Sequence, residues 1–203
     1  MDKLDLTKKF KEFYNPKKGL ITEATVPAFN FVMIDGEGDP NTSENFINAV
    51  EIIYGVSFTL KFLVKNETGQ DFKVMPLEGL WWSDDMSSFT TGAKDKWKWT
   101  LMIHQPDFVT KTHFKGAVKK YCEKKKKDVT GQVRFETYKE GLSVQVLYIG
   151  AYKDEGPVIA KMHEYITVNG GKLSGLHHEI YLSDTRKTPP EKLKTVIRQP
   201  FVR

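Results

Sequence analysis

The residues best suited to chemistry lie in one short segment, HHEIYLSD, which begins at His177. Side chains alternate between the two faces of a β-strand. His177, Glu179 and Tyr181 therefore share one face, while the apolar Ile180 and Leu182 share the other. The apolar pair predicts that its face meets the helices of the fold and that the Glu179 face is open. A carboxylate among aromatic rings attracts a cation or, with its pKa raised by desolvation, acts as a general base.

Four more aromatic residues are candidates for the wall of the same pocket. LWWSD in the first half of the chain parallels IYLSD in the second, which puts Trp81 on the face corresponding to that of Tyr181. Trp99 in WKWTLMIH, and Tyr148 and Tyr152 in SVQVLYIGAY, complete the set. Large aromatic side chains fill cores as readily as pockets, so the core alternative stays open for these residues. The predicted binding set is thus these four with His177, Glu179 and Tyr181, and the predicted catalytic pair is Glu179 and Tyr181.

Other kinds of catalytic centre have no support in the motifs. The five histidines and the single cysteine, Cys122, lack metal-ligand spacing, and adjacent His177 and His178 face opposite sides of a strand. The sequence contains neither a Gly-x-Ser-x-Gly elbow nor a dinucleotide fingerprint. We therefore predict a site that uses neither a metal nor a cofactor.

The elements that must position these residues occur twice in the same order. The first half predicts a strand at 31–34, a helix capped by Asn41, strands at 72–82 and 97–104, and a basic helical insertion at 107–127. The second half predicts a strand at 143–152, a helix opened by Pro157, and strands at 177–184 and 193–200. MIHQP and VIRQP also match between the halves, which favours an internal duplication.

The duplication predicts an α+β fold. Two strand-helix-strand-strand modules related by a pseudo-twofold would form one antiparallel sheet with the helices on one face, and the groove between them would bind the ligand. The predicted limits are an N-terminal arm at 1–24 and a single domain at 25–203. Within that domain we expect module one at about 28–106, the insertion at about 107–128, and module two at about 132–203.

Composition limits the class of protein. The chain has 203 residues, is 39% hydrophobic and 28% charged, and carries a net charge of +5, which is typical of a globular domain. Neither a secretory signal nor a run of ~18 apolar residues is present, so a cytoplasmic protein without a membrane partner is expected. The lysines between Lys119 and Lys127 surround a single aromatic, Tyr121, so nucleic acid binding is predicted to be weak and non-specific. The oligomeric state stays open.

Four segments together carry a resemblance to a known family: VPAFNFVMIDGEGDPN, LEGLWW, WKWTLMIHQPDFVT and HHEIYLSDTRKTPPEKLKTVIRQP. They resemble the stand-alone GyrI-like small-molecule-binding proteins, relatives of the effector-binding domains of multidrug-responsive regulators. The resemblance implies the duplicated fold and a buried glutamate among aromatics, matched here by Glu179, that receives flat, apolar, often cationic compounds. Some similar stand-alone members hydrolyse cyclopropane-bearing DNA-alkylating natural products. The regulators add a DNA-binding helix-turn-helix, which this sequence lacks.

Three functions follow as hypotheses. The first is a receptor that sequesters or senses drugs or toxins. The second is a hydrolase, a route to toxin resistance, in which Glu179 orients water and Tyr181 donates to the oxygen that gains charge. The third is a protein-interaction module that uses the basic segment at 107–127.

Overall fold

A computed structural model describes residues 3–85 and 92–203. Seven strands are present in these ranges: β1 Thr22–Glu37, β2 Leu77–Trp82, β3 Lys98–Gln105, β4 Val133–Ile149, β5 Lys172–Leu173, β6 His177–Tyr181 and β7 Lys194–Val202. The α-helices of the same ranges are α1 Leu6–Lys9, α2 Lys11–Tyr14, α3 Glu44–Thr68, α4 Lys111–Lys125 and α5 Gly156–Val168. Part of the predicted turn between the second and third strands, at 86–91, lies outside the described residues.

The structure confirms the predicted α+β class. The strand-helix-strand-strand order occurs twice, first as β1-α3-β2-β3 and then as β4-α5-β6-β7, with the short β5 added in the second copy. The strands follow the hydrogen-bonded order β4-β1-β3-β2-β6-β7-β5, and β4 also pairs with β7. The pairings of β1 with β3 and of β7 with β4, β5 and β6 are antiparallel.

The chain divides into two compact units. Unit 1 comprises Met1–Leu6, Phe29–Met75 and Trp81–Tyr138, and unit 2 comprises Thr7–Ala28, Pro76–Leu80 and Lys139–Arg203. Each unit therefore draws on separate stretches of the sequence. The predicted domain limits stay predictions.

Unit 1 is built around the long helix α3. Its buried side chains recur at helical spacing, from Ala49 through Ile53, Val56 and Leu60 to Val64, and α3 packs on both β3 and α4. By length and apolar composition alone α3 could cross a membrane, yet half of its apolar window is buried within the protein. That burial is the behaviour of a core helix.

Unit 2 places α5 on the strands β4 and β7. Met162 and Ile166 of this helix are fully buried against Val146, Ile197 and Phe201 in one hydrophobic cluster. Pro within the first turn of α5 favours its start, as predicted, because the first helical N–H groups need no intrahelical acceptor. The helix thus covers one face of the β4–β7 pair.

Several predicted boundaries differ from the observed ones. The cap of α3 is Ser43 and not Asn41, and β1 and β4 extend well beyond the predicted 31–34 and 143–152. The added portions mix buried, half-buried and exposed residues, so they lack the continuous apolar run that marks a buried strand. The residues called an N-terminal arm bury Phe13 and Tyr14 in unit 2. The basic segment likewise packs, because Phe114 and Tyr121 are buried in unit 1.

We predict that the α3–α4 contact tolerates no side chain at Gly55. A Cβ there would lie 2.3 Å from the Tyr121 ring, which is itself buried. Gly55→Ala should lower the unfolding free energy by about 1–3 kcal/mol through overpacking, despite the higher helix propensity of alanine. Gly116→Ala in α4 is the matched control, since its Cβ would meet only a Leu63 methyl at 3.2 Å. Equal stability of the two variants in urea unfolding would contradict this account.

Candidate functional site

The candidate site lies in unit 2 and is centred on Glu179 of β6. Its Oε2 accepts a hydrogen bond from the Tyr181 hydroxyl at 2.8 Å, and its Oε1 lies 3.1 Å from Nε2 of His177. The alternation of β6 brings these three side chains to one face, as the sequence predicted. Both carboxylate oxygens are thereby held in place, while the side chain keeps partial contact with solvent.

Two of the predicted tyrosines join this cluster from neighbouring elements. Tyr148 of β4 and Tyr181 of β6 both pair with Thr195 of β7, so their side chains share a face. The Tyr152 ring, in a short 3₁₀ turn after β4, meets the Tyr181 ring edge-on at 5.5 Å. The Tyr148 hydroxyl donates to the carbonyl of Ala151 at 3.2 Å, which fixes the same turn.

A second carboxyl group, Glu155, was missed by the sequence reasoning. It stands immediately before α5, is only 3% exposed, and its Oε1 has no hydrogen-bond partner among the described residues. Burial raises the pKa of Glu155 to about 9, and the nearby charge of Glu179 adds to the effect. Glu155 therefore holds a proton at neutral pH. The acidic turn KDEGP was the available signal, but a glutamate before a helix is ordinarily a solvated residue.

The predicted open face of the sheet is not open. Glu179 pairs in register with Ile197, which belongs to the cluster packed under α5. The helix thus covers the Glu179 face, whereas the sequence assigned it to the face of Ile180. The alternation of side chains along β6 was predicted correctly. Both faces of β6 are covered, however, and the apolar pair Ile180 and Leu182 does not indicate which face the helix covers.

The other face of β6 carries a buried network of charged groups. His178 sits between two carboxylates, with Nε2 at 3.1 Å from Glu78 and Nδ1 at 3.0 Å from Glu140. Arg198 donates to the second oxygen of Glu140 at 2.8 Å, and the Tyr14 hydroxyl donates to Glu78 at 2.8 Å.

Two further contacts extend this network to the backbone. Arg198 also donates to the carbonyl of Phe13 at 2.8 Å and contacts Gln145, which in turn donates to the carbonyl of Glu12. The network thereby holds α2 in place within unit 2.

The network balances its charges when His178 is protonated. Both ring nitrogens face carboxylate oxygens, and these carboxylates raise the pKa of His178 to about 9 although burial opposes the shift. The positive charges of His178 and Arg198 lower the pKa of Glu140 to about 2, again against its burial. Burial and the charge of Glu78 raise the pKa of Tyr14, so its hydroxyl remains a donor.

The two predicted tryptophans belong to unit 1, and both are buried. Trp81 stacks on Phe46 of α3 at 6.0 Å, and Trp99 meets the same ring edge-on at 5.2 Å. Gly36 lies against the Trp99 ring, where a Cβ would come within 2.1 Å. Trp81 was predicted on an open face, but here it packs on a helix. Trp99 is a core residue that also lines a cleft of about 530 Å³ within unit 1.

The described residues offer no group of three or more His, Cys, Asp or Glu side chains arranged to hold a metal ion.

Comparison with known proteins identifies the family of this chain. The sequence model of the GyrI-like small molecule binding domain matches residues 21–201, nearly the whole chain. The chain belongs to the GyrI-like family. No curated protein matches the sequence.

Solved structures of other proteins are similar over most or all of this chain. An uncharacterized conserved protein from Listeria innocua is 37% identical, with a TM-score of 0.91 over 98% of this chain and 100% of that one. A hydrolase from Listeria innocua is 36% identical, with a TM-score of 0.88 over 99% of this chain and 100% of that one. The C-terminal domain of EcmrR shares the fold at 11% identity, with a TM-score of 0.58 over 91% of this chain and 98% of that one.

We predict a pH dependence of stability set by the buried groups. His178, with its pKa raised from 6.5 to about 9, stabilises fully below pH 6.5 and loses this contribution as pH rises through 9. Glu140, lowered from 4.5 to about 2, stabilises above pH 4.5 and loses this contribution as pH falls through 2. The contribution of Glu155, whose pKa is raised from 4.5 to about 9, falls above pH 4.5, so urea unfolding at a series of pH values should give a maximum near pH 4.5 and a further loss above pH 6.5.

The substitution His178→Gln tests directly whether His178 is protonated in the folded protein. It leaves two buried carboxylates without their shared cation, so the unfolding free energy should fall by about 3–5 kcal/mol at pH 6, and much less at pH values above about 9. His113→Gln is the control, because His113 faces an exposed Glu67 at 3.8 Å and should cost less than about 1 kcal/mol. A loss for His178→Gln that is independent of pH would contradict the charged state of His178.

Proposed function

We propose that this GyrI-like protein hydrolyses a small organic electrophile at the Glu155–Glu179 pair. The observation that carries the proposal is the pair itself: one carboxyl group keeps its proton at neutral pH while its neighbour is hydrogen-bonded by Tyr181 and His177. A buried carboxyl group that keeps its proton beside a second carboxyl group is a pattern that acid–base catalysis uses. The full-length similarity to a hydrolase from Listeria innocua supports the same reaction class.

Each group of the site then has a role in the reaction. Glu179 accepts a proton from water, whose oxygen attacks the electrophilic carbon. Tyr181 donates a hydrogen bond to Glu179 at 2.8 Å in the structure. In the reaction its hydroxyl donates instead to the substrate oxygen on which charge develops. Glu155 is a positioning residue: its protonated carboxyl group lies beside Glu179 and adds no second negative charge to the site.

The family resemblance indicates cyclopropane-bearing DNA-alkylating natural products as the substrate class. Water adds to a cyclopropane carbon, the strained C–C bond breaks, and its electron pair moves onto the conjugated carbonyl oxygen. That oxygen takes the phenolic proton, and the proton on Glu179 returns to Tyr181. The net change is the addition of one water, which would detoxify the compound in the cytoplasm.

A receptor function is the second candidate. The Glu179 carboxylate lies beside the rings of Tyr181 and Tyr152, an arrangement that favours a flat, hydrophobic, cationic ligand. Such a protein would sequester or sense drugs and toxins without turning them over. Binding and hydrolysis would use the same residues, so only a measurement of turnover beside one of affinity distinguishes the two functions.

We predict that Glu179→Gln separates them. For a hydrolase, turnover of a cyclopropane-bearing substrate should fall about 100-fold or more while the dissociation constant changes little, because a positioned base is lost. For a receptor, the affinity for a cationic aromatic dye should fall about ten- to hundredfold and that for a neutral analogue much less. Mass detection of the water adduct and the fluorescence anisotropy of the dye measure the two effects. Glu164→Gln, on the exposed side of α5, is the control.

We also predict that Glu155→Gln changes both the stability of the protein and the pH profile of turnover. In the folded protein the pKa of Glu155 is raised from 4.5 to about 9, so its contribution to stability falls as pH rises between these values. The neutral amide should therefore raise the unfolding free energy at pH 8 by about 1–3 kcal/mol, the scale of a buried polar group left without a partner. Turnover by the unchanged protein should decline above about pH 9, where Glu155 ionises, and turnover by the variant should not decline there. A destabilised variant at pH 8 would refute the neutral state of Glu155.

A further inference from the structure

The exposed face of α3 carries an apolar stripe that the proposed function does not use. Ile47, Phe58 and Phe62 are 62%, 48% and 54% exposed, large fractions for such side chains in a helix of the core. With Tyr54, which stacks on Phe58 at 6.4 Å, they recur at intervals of seven, four and four residues and so follow one side of the helix. We call Ile47, Tyr54, Phe58 and Phe62 the aromatic stripe.

A lysine cluster lies beside the stripe in the same unit. α4 packs along α3, and exposed lysines occupy Lys115, Lys119, Lys120 and the run from Lys124 to Lys127. Lys125 reaches Glu51, one turn from Ile47, at 2.7 Å, and Lys127 reaches Asn48 at 2.7 Å. The basic end of α4 is therefore anchored on the part of α3 where the stripe begins.

From this juxtaposition we propose that the stripe and the lysine cluster form a docking surface for an anionic lipid membrane. Aromatic side chains beside a lysine-rich face are the features of segments that lie in the membrane interface, where lysines meet lipid phosphates and rings enter the headgroup region. The protein lies on the bilayer and does not span it. This revises the expectation of no membrane partner, which rested on the search for a spanning segment.

The composition of the surface favours a lipid over other occupants. All basic residues from Lys111 to Lys127, apart from His113, are lysines, the type depleted from protein–protein interfaces, where arginine is enriched. A second copy of the chain would bring its own lysines against these, a like-charge contact. A nucleic acid would leave the aromatic stripe in water. An anionic membrane would contact both parts of the docking surface at once, the lysines through lipid phosphates and the stripe through the headgroup region.

Sedimentation with lipid vesicles tests the proposal on the full chain. The protein should sediment with vesicles of phosphatidylglycerol and not with vesicles of phosphatidylcholine, and salt should weaken the binding. Phe58→Ser with Phe62→Ser should reduce the binding constant about tenfold or more, because half-exposed rings lose their transfer into the interface. Lys119→Gln, Lys120→Gln and Lys124→Gln together should reduce it about 100-fold, at roughly one tenfold step or less per lysine.

Matched changes in unit 2 serve as controls. Val168→Ser with Leu173→Ser removes two exposed apolar side chains, and Lys172→Gln, Lys187→Gln and Lys192→Gln together remove three exposed lysines. The controls should bind vesicles like the unchanged protein, and all variants should keep its unfolding midpoint in urea. Turnover in lipid-free solution should also be unchanged, so this test stands independently of the proposed hydrolase.

Three outcomes would overturn the proposal. Equal losses for the control variants would show general adsorption of a basic protein. Loss with the lysine variant but not with the phenylalanine variant would leave the stripe without a role. A lipid-free dimer in sedimentation velocity that the phenylalanine variant abolishes would assign the stripe to a second copy of the chain.

Discussion

The buried ion network around His178 is the constraint on which unit 2 depends. Two glutamates, an arginine and a histidine are enclosed together, and each ionised group would be costly to bury alone. Their charges cancel only when His178 carries its proton, and their hydrogen bonds are met only when β4, β6 and β7 are in register. The arginine also binds a carbonyl of α2, so the N-terminal residues become part of the unit. Register, the place of α2 and protonation state are thus fixed by one set of contacts.

Glu140 and Glu155 show how environment decides the state of a buried carboxyl. Both are removed from water, and burial alone would raise the pKa of each. Glu140 faces two cations, which outweigh burial and keep it ionised. Glu155 faces another carboxylate, which adds to burial and keeps it protonated. Consecutive residues of β6 serve both environments, because His178 points to the first and Glu179 to the second.

Much of the fold and part of the site could be predicted from the sequence. The repeated element order identified the duplicated α+β architecture, and the period-two pattern of β6 placed Glu179 with His177 and Tyr181. The side of the sheet covered by α5 could not be predicted, because Ile180 and Ile197 are both buried on opposite faces. Glu78 and Glu140 gave no signal either, and the acidic turn around Glu155 is a pattern that ordinarily marks a solvated residue. A glutamate is ordinarily solvated, and only tertiary pairing with a residue as distant as His178 explains why Glu78 and Glu140 are buried.

Glu155 lowers the stability of unit 2 whereas the ion network raises it, which explains why one unit contains both. A protonated Glu155 without a hydrogen-bond partner for its Oε1 costs stability, and this cost rises as the medium becomes alkaline. A site of this kind persists only where the surrounding structure over-determines its geometry. The ion network supplies the additional stability on the opposite face of the same strands, where His178 and Arg198 hold β6 and β7 in register. The position of Glu179, and with it the protonation of Glu155, is therefore maintained by residues that never reach the ligand.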